Sequence, residues 1–295
     1  MKYQGTKPDF ICIGYEKTAT TWLWNRLNEH PSVAMPPVKE VGFWLENEII
    51  EKKSVLGKFL SGHWYYRKYR KILMRSLVKP YWFLTHARWI LRFLFGRHTI
   101  GWYSSLFDRK KISGDITPTY TDLAESRIKE IYMLNPEIKI ILLLRDPVDY
   151  AWSKAKMNLV YQQGKIISDI TEKEYFDFFD TLRINDTSYT DVFIRWKKYF
   201  NMIFIGFYDE IENDPKNILG KIYSFLGLSA IEQGNFSKKS NVGIEMDIPE
   251  KYREYLVSKY TKLMQDCISL FGPDSMAAEW LKKYGIPMQV NKGKS

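Results

Sequence analysis

Cysteine is scarce: two in 295 residues, Cys12 in an apolar run and Cys267 in a helical pattern. That excludes a disulfide scaffold and points to a reduced compartment. Long hydrophobic runs are absent too. No stretch of about 18 apolar residues occurs, and the most apolar one, Pro80 to Gly96, is interrupted by His86, Arg88 and Arg92. Met1 to Asp9 is polar and the run behind it, Phe10 to Gly14, is too short for a secretory signal. The expectation is a cytoplasmic protein, with membrane contact open to it only at a surface. The four histidines, His30, His63, His86 and His98, show no ligand spacing, and no acidic cluster suits Mg²⁺, so no metal is expected.

Acidic charge is missing from one segment. Between Lys52 and Phe107 there are twelve Lys or Arg and no Asp or Glu, so a net charge of +10 leaves the remainder at −2. A uniformly basic nucleic-acid binder is thereby excluded. The segment also holds fourteen aromatics, among them Trp64, Tyr65, Tyr66, Tyr69, Trp82, Phe83, Trp89, Phe93 and Phe95. With 10 Trp, 20 Tyr and 17 Phe, the whole chain carries too much apolar surface to be disordered.

Asp9 to Gly14 reads as a buried strand, followed by a polar turn and a helix from Thr21 to His30 that Thr20 or Thr21 would cap. Ile138 to Leu144 is the strongest strand signal, ending at Arg145-Asp146-Pro147, where Asp146 caps a helix reaching about Val160. Thr171 and Glu174 form a capping-box pattern, Met202 to Phe207 is a third strand, and Asp214-Pro215 opens a helix ending near Gly227. Pro249 to Phe271 and Ala277 to Tyr284 are helical. Strands alternating with helices predict one α/β domain over residues 1–295, a central mostly parallel sheet flanked by helices, with Lys52 to Phe107 as a helical insertion.

Two segments carry chemistry. Gly14-Tyr-Glu-Lys17-Thr18-Ala-Thr20-Thr21-Trp22 joins a strand to a helix, where backbone amides, hydroxyls and one lysine can face an anion. It is not a Walker A loop, because only Tyr15 and Glu16 separate Gly14 from Lys17. The bland reading is a capped turn with an exposed lysine. Arg145 to Ser153 leaves the strongest strand and enters a helix. Ligands lie at the carboxyl ends of strands in open α/β sheets, so Arg145 and Lys17 should face one crevice. The bland reading there pairs Arg145 with Asp146 or Asp149.

Together the two segments resemble the sulfotransferases that use 3′-phosphoadenylyl sulfate (PAPS). The strand–GxxKTxTTWL–helix segment matches that family's 5′-phosphosulfate loop, and RDPxxxAxS its 3′-phosphate site. Lys39-Glu-Val-Gly-Phe-Trp44, Gly114-Asp-Ile-Thr-Pro-Thr-Tyr120 and Tyr208-Asp-Glu210 resemble motifs of the branch that includes heparan-sulfate and many bacterial enzymes. The resemblance implies a P-loop-kinase-like fold and metal-independent transfer from PAPS, leaving PAP, to a small-molecule, glycan or lipid hydroxyl or amine. It implies Lys17 and Glu40 as catalytic. Lys17, Thr18, Ala19, Thr20, Thr21, Trp22, Arg145, Ser153, Lys238, Lys239 and Asn241 would hold the nucleotide; Glu40, Phe43, Trp44, Thr117 and Tyr120 would face the acceptor. Val41, Phe43 and Trp44 around Glu40 would raise its pKa, while the bland alternative is a surface carboxylate paired with Lys39. Gly42 and Ile116 depart from the heparan-modifying pattern and weigh against a sulfated-polysaccharide acceptor.

For the basic insertion three readings stand open: plain structure, a cap over an acceptor pocket, or peripheral membrane contact through residues 63–98. Nucleic acid is not an expected partner. The alternatives to the enzyme are an ATP-dependent kinase or NTPase on a similar fold, and a non-catalytic peripheral membrane protein keeping a vestigial nucleotide pocket.

Overall fold

Short apolar runs build the sheet. Phe10–Cys12 (β1), Gly114–Ile116 (β2), Lys139–Leu144 (β3) and Ile203–Phe207 (β4) pair in parallel, in the order β2-β1-β3-β4. The computed structural model describes residues 7–46, 52–63, 66–108, 110–164, 166, 169–185, 188–231, 236 and 246–288. Three of the strands are the expected ones. β2 is an addition, hidden in sequence because Asp115 interrupts its apolar pattern.

Alternate residues of each strand enter different cores. Ile11, Ile13, Ile140, Leu142 and Leu144 belong to a large cluster, while Phe10, Cys12, Ile116, Ile141 and Leu143 belong to a smaller one. Both faces are therefore covered, as a parallel sheet requires.

The helices are α1 (Thr20–Glu29), α2 (Val55–Leu60), α3 (Arg67–Val78), α4 (Pro80–Phe95), α5 (Ile100–Ser104), α6 (Glu125–Leu134) and α7 (Pro147–Ala155). They continue as α8 (Glu172–Asp180), α9 (Tyr189–Lys197), α10 (Tyr208–Asn213), α11 (Pro215–Leu226), α12 (Glu250–Phe271) and α13 (Met276–Lys283). Helices α1 and α11 fill the smaller core, and most of the others the larger.

Local chemistry sets the helix ends. The Asp146 carboxylate accepts from Val148 N at 2.9 Å with Pro147 in the first turn of α7. Thr171 and Glu174 form the expected reciprocal capping box on α8. One expectation is corrected. Neither Thr20 nor Thr21 caps α1, because Ala19 takes the N-cap position in a left-handed conformation with no side-chain cap. The helix after Arg145 extends past Val160 as expected, α-helical to Ala155 and a π-helix over Lys156–Gln162.

The insertion is helical, as expected, and supplies α2 to α5. Tyr66, Tyr69, Ile72, Ile90, Phe93 and Leu94 are buried in the same cluster as Ile11 and Leu142. Trp89 stacks on Phe93 at 4.9 Å and Phe93 on Tyr69 at 5.2 Å, and six of the segment's aromatics are buried in the sheet's own core.

Candidate active site

Strand register decides which residues meet at the carboxyl edge. Cys12 pairs with Ile141, and Leu144 with Phe207, so the segments after β1, β3 and β4 emerge side by side. Gly14 makes the first exit passable: a Cβ there would lie 2.2 Å from the Leu143 backbone nitrogen. Arg145 and Tyr208 leave neighbouring strands, and the guanidinium sits 4.0 Å over the Tyr208 ring.

The loop behind Gly14 is bent by two residues with positive φ, Lys17 at 64° and Ala19 at 63°. Such alternation turns successive amides inward and forms an anion-binding concavity. The uncapped N-terminus of α1 points its dipole at the same place. Thr18, fully buried, donates its hydroxyl to Tyr15 O at 2.6 Å and stiffens the bend. Arg145 reaches across from β3 and donates to Lys17 O at 3.1 Å. Arg145 does not pair with Asp146 or Asp149; those two carboxylates take Lys283 at 2.8 and 2.7 Å.

Positive charge accumulates here. Lys154 binds Glu16 across the loop, and Lys156 donates to Met246 O at 3.1 Å. Burial, then Arg145 and Lys154, hold the Lys17 pKa below the ordinary lysine value against the pull of Glu16. Burial and Arg145 do the same to Lys156. The buried Arg145 Nε has no hydrogen-bond partner among the described residues. Burial and neighbouring cations that lower the proton affinity of Lys17 and Lys156, beside an orphaned guanidinium nitrogen, mark a place for an anion. Arg145, Ser153, Lys156, Arg253 and Tyr284 line a cavity of about 470 Å³. Another cavity, about 360 Å³ against α11, contains neither Lys17 nor Arg145.

Lys39 ties the second motif to the first. Its ammonium donates to the Thr20 and Thr21 hydroxyls at 2.9 and 3.2 Å and pairs with Glu40 Oε1 at 3.1 Å. Glu40 thus stands beside the N-terminus of α1, with φ of 65°. Its side chain is 46% exposed, whereas Val41 and Trp44 are turned into the core. The apolar enclosure expected from its neighbours in sequence is therefore not formed.

Holding this turn is Lys68 on α3, which donates to the carbonyls of Glu40 at 3.0 Å and Val41 at 2.7 Å. Its ammonium lies within the aromatic layer, 5.6 Å from the centre of Phe93. Burial pushes its pKa down to about 7 against the pull of Glu40, Asp115 and Glu46.

Other expected site residues fall elsewhere. Trp44, Thr117 and Tyr120 are buried. Asp115 organises the last two: its carboxylate accepts from Thr117 at 2.7 Å, Tyr120 at 2.8 Å and Tyr103 at 3.2 Å. They thus offer no surface to an acceptor, which leaves Glu40 and the half-buried Phe43 from that set. Trp22 is also buried and donates Nε1 to Phe236 O at 2.9 Å. Lys238, Lys239 and Asn241 lie outside the described residues, but both flanks of their segment are held beside the site, Phe236 by Trp22 and Met246 by Trp152 and Lys156.

Sequence reasoning assigned no site role to Lys39, Lys68, Lys154, Lys156, Tyr208 or Arg253, although Lys39 and Tyr208 stand within motifs that carry the resemblance. Lys154 directly follows Ser153, the end of the second motif, and Lys156 stands two residues further on, which was the available signal. Among the described residues, no group of three or more His, Cys, Asp or Glu is arranged to hold a metal ion.

Comparisons with known proteins identify the family and the fold. Residues 7–266 match the sulfotransferase domain family. A sulfotransferase from Alicyclobacillus acidocaldarius has a similar fold, at TM-score 0.64 and 20% identity over 93% of this chain and 99% of that one. The sulfotransferase domain of an olefin synthase from Synechococcus PCC 7002 superposes at TM-score 0.50 and 14% identity, over 88% and 97% of the two chains. No curated protein sequence matches the chain. With that family model matched over residues 7–266 of its 295, on a parallel α/β sheet, the chain belongs to the sulfotransferase family.

Proposed function

We propose that the protein transfers a sulfuryl group from PAPS to a hydroxyl or amine of a small-molecule, glycan or lipid acceptor. The observation that carries the donor assignment is the convergence of Lys17, Arg145 and Lys156 around a left-handed loop, with Arg145 Nε buried and unpartnered. A nucleotide with phosphate at both ends fits that donor set: the loop of residues 14–21 and Lys17 would take the 5′ end, and Arg145, Ser153 and Lys156 the 3′-phosphate. When bound, PAPS supplies an electrophilic sulfur and a phosphate leaving group.

The chain supplies position and charge. Lys17 carries a full positive charge on the concave loop, where negative charge grows on the departing oxygen. Arg145, fixed by Lys17 O and the Tyr208 ring, binds a phosphate by charge-assisted hydrogen bonds. Lys39 holds Glu40 Oε1, so Oε2 is the atom that takes the acceptor's proton as the new S–O or S–N bond forms.

The test is release of PAP from PAPS in the presence of an acceptor library, read chromatographically. Glu40→Gln is expected to lower transfer by about 10²–10⁴-fold while leaving PAP affinity within about twofold. Turnover unchanged in Glu40→Gln would remove the base assignment. Failure to release PAP with any acceptor, alongside hydrolysis of ATP–Mg²⁺, would overturn the reading.

A further inference from the structure

The exposed large apolar side chains are concentrated in one place. Of 18 among the described residues, 12 fall between Val55 and Ile100. On α4, Tyr81, Leu84, Arg88, Leu91 and Phe95 recur at alternating steps of three and four and are all exposed, which is one face of a helix. Tyr81 is 81% and Leu84 72% exposed. The opposite face carries Ile90, Phe93 and Leu94 into the core. Helix α4 is therefore apolar on both sides, although only one is packed. On α3, which packs against α4, Leu73, Met74, Leu77 and Val78 are exposed as well, and so are Leu56 and Leu60 of α2, whose Phe59 meets Phe95 at 6.3 Å.

The charge around this face has one sign. Arg67, Lys71, Arg75, Lys79, Arg88 and Arg97 are exposed, and the segment from Lys52 to Phe107 has no acidic residue. The Arg75 guanidinium rests 4.2 Å over Trp82, which keeps it at the α3–α4 hairpin. Two arginines do not contribute, because Arg70 donates to Phe59 O and Ser61 O and Arg92 to Ser105 O. A second copy would bring the same uncompensated charge against itself. A bilayer, anionic at its surface and apolar beneath, complements both features. No described helix is long and apolar enough to cross a membrane, so the fitting geometry is a helix lying in the interface.

We infer that α4, with the adjoining faces of α3 and α2, docks the protein onto an anionic phospholipid bilayer. The inference does not depend on the sulfotransferase reading. It has a consequence for that reading: α3 presents one face to the bilayer and with Lys68 holds Glu40, so an acceptor carried by the bilayer would meet the catalytic edge.

The experiment is vesicle co-sedimentation of the full chain on phosphatidylcholine with and without phosphatidylglycerol, with size-exclusion light scattering for self-association. Wild type is expected to bind the anionic vesicles at least about tenfold more tightly, and salt should weaken that binding. Leu84→Glu/Leu91→Glu and Lys79→Glu/Arg88→Glu are each expected to lose about tenfold or more, with melting temperature and PAP affinity unchanged. Equal binding to both vesicle types, or vesicle affinity retained in the leucine variant, overturns the inference. So does absence of vesicle binding, whether or not the wild type forms a dimer that the leucine variant abolishes or binds an acidic protein instead.

Discussion

Lys17, Ala19 and Glu40 are the non-glycine residues with positive φ among those described, and all three lie at the site. A left-handed L-residue costs about 1–2 kcal/mol, and such strain persists where surrounding contacts over-determine it. Those contacts are visible: Arg145 on Lys17 O, Thr18 on Tyr15 O, Lys68 on Glu40 O. Ala19→Gly removes the strain at one of them. Allowing for the greater freedom of glycine in the unfolded chain, the free protein should gain about 0.5–1 kcal/mol in chemical denaturation; a loss would mean that the conformation is not strained. The sequence identified all three as site residues through motif and resemblance, but not their shared backbone state. Nothing in Thr-Ala-Thr or Lys-Glu-Val specifies a left-handed turn, since contacts from β3 and α3 impose it.

At the scale of elements, the insertion proves to be part of the site's framework. Lys68 is legible in sequence only as one of twelve basic residues between Lys52 and Phe107; the fold gives it two carbonyls to hold. Its pKa near 7 lies below the unfolded value of 10.5. Between these values the folded state binds fewer protons than the unfolded one, so stability rises with pH there. Lys68→Met abolishes that contribution. Wild type should therefore gain on the variant by up to about 1.4 kcal/mol per pH unit above neutrality, measured by denaturation at paired pH values. Turnover should fall about tenfold with PAP affinity retained. A stability difference independent of pH would mean that burial does not depress the Lys68 pKa. β2 was illegible for a related reason. Asp115 belongs on a buried strand only because Tyr103, Thr117 and Tyr120 supply its hydrogen bonds, and two of those donors lie five and twelve residues away.

Across the whole molecule, charge and apolar surface are sorted rather than mixed. Burial of alternate residues on both sheet faces made the α/β architecture readable from apolar runs such as Ile138 to Leu144. The position of the site at the carboxyl edge then followed from topology. Tertiary assembly accounts for what was not readable. Trp44, Thr117 and Tyr120 carry motif identities yet serve the core, while Arg253 comes from α12, an element with no motif of its own, and Lys156 and Tyr208 gain their places beside Arg145 only through the fold. The central claim is a donor site whose 3′-phosphate specificity rests on Arg145. Calorimetric titration with PAP and with adenosine 5′-phosphate, for wild type and Arg145→Ala, tests it most directly. Wild type should bind PAP and prefer it over the monophosphate, and Arg145→Ala should lose about 10–100-fold of PAP affinity together with that preference. A wild type that does not bind PAP, or an Arg145→Ala variant that binds it equally well, would contradict the account.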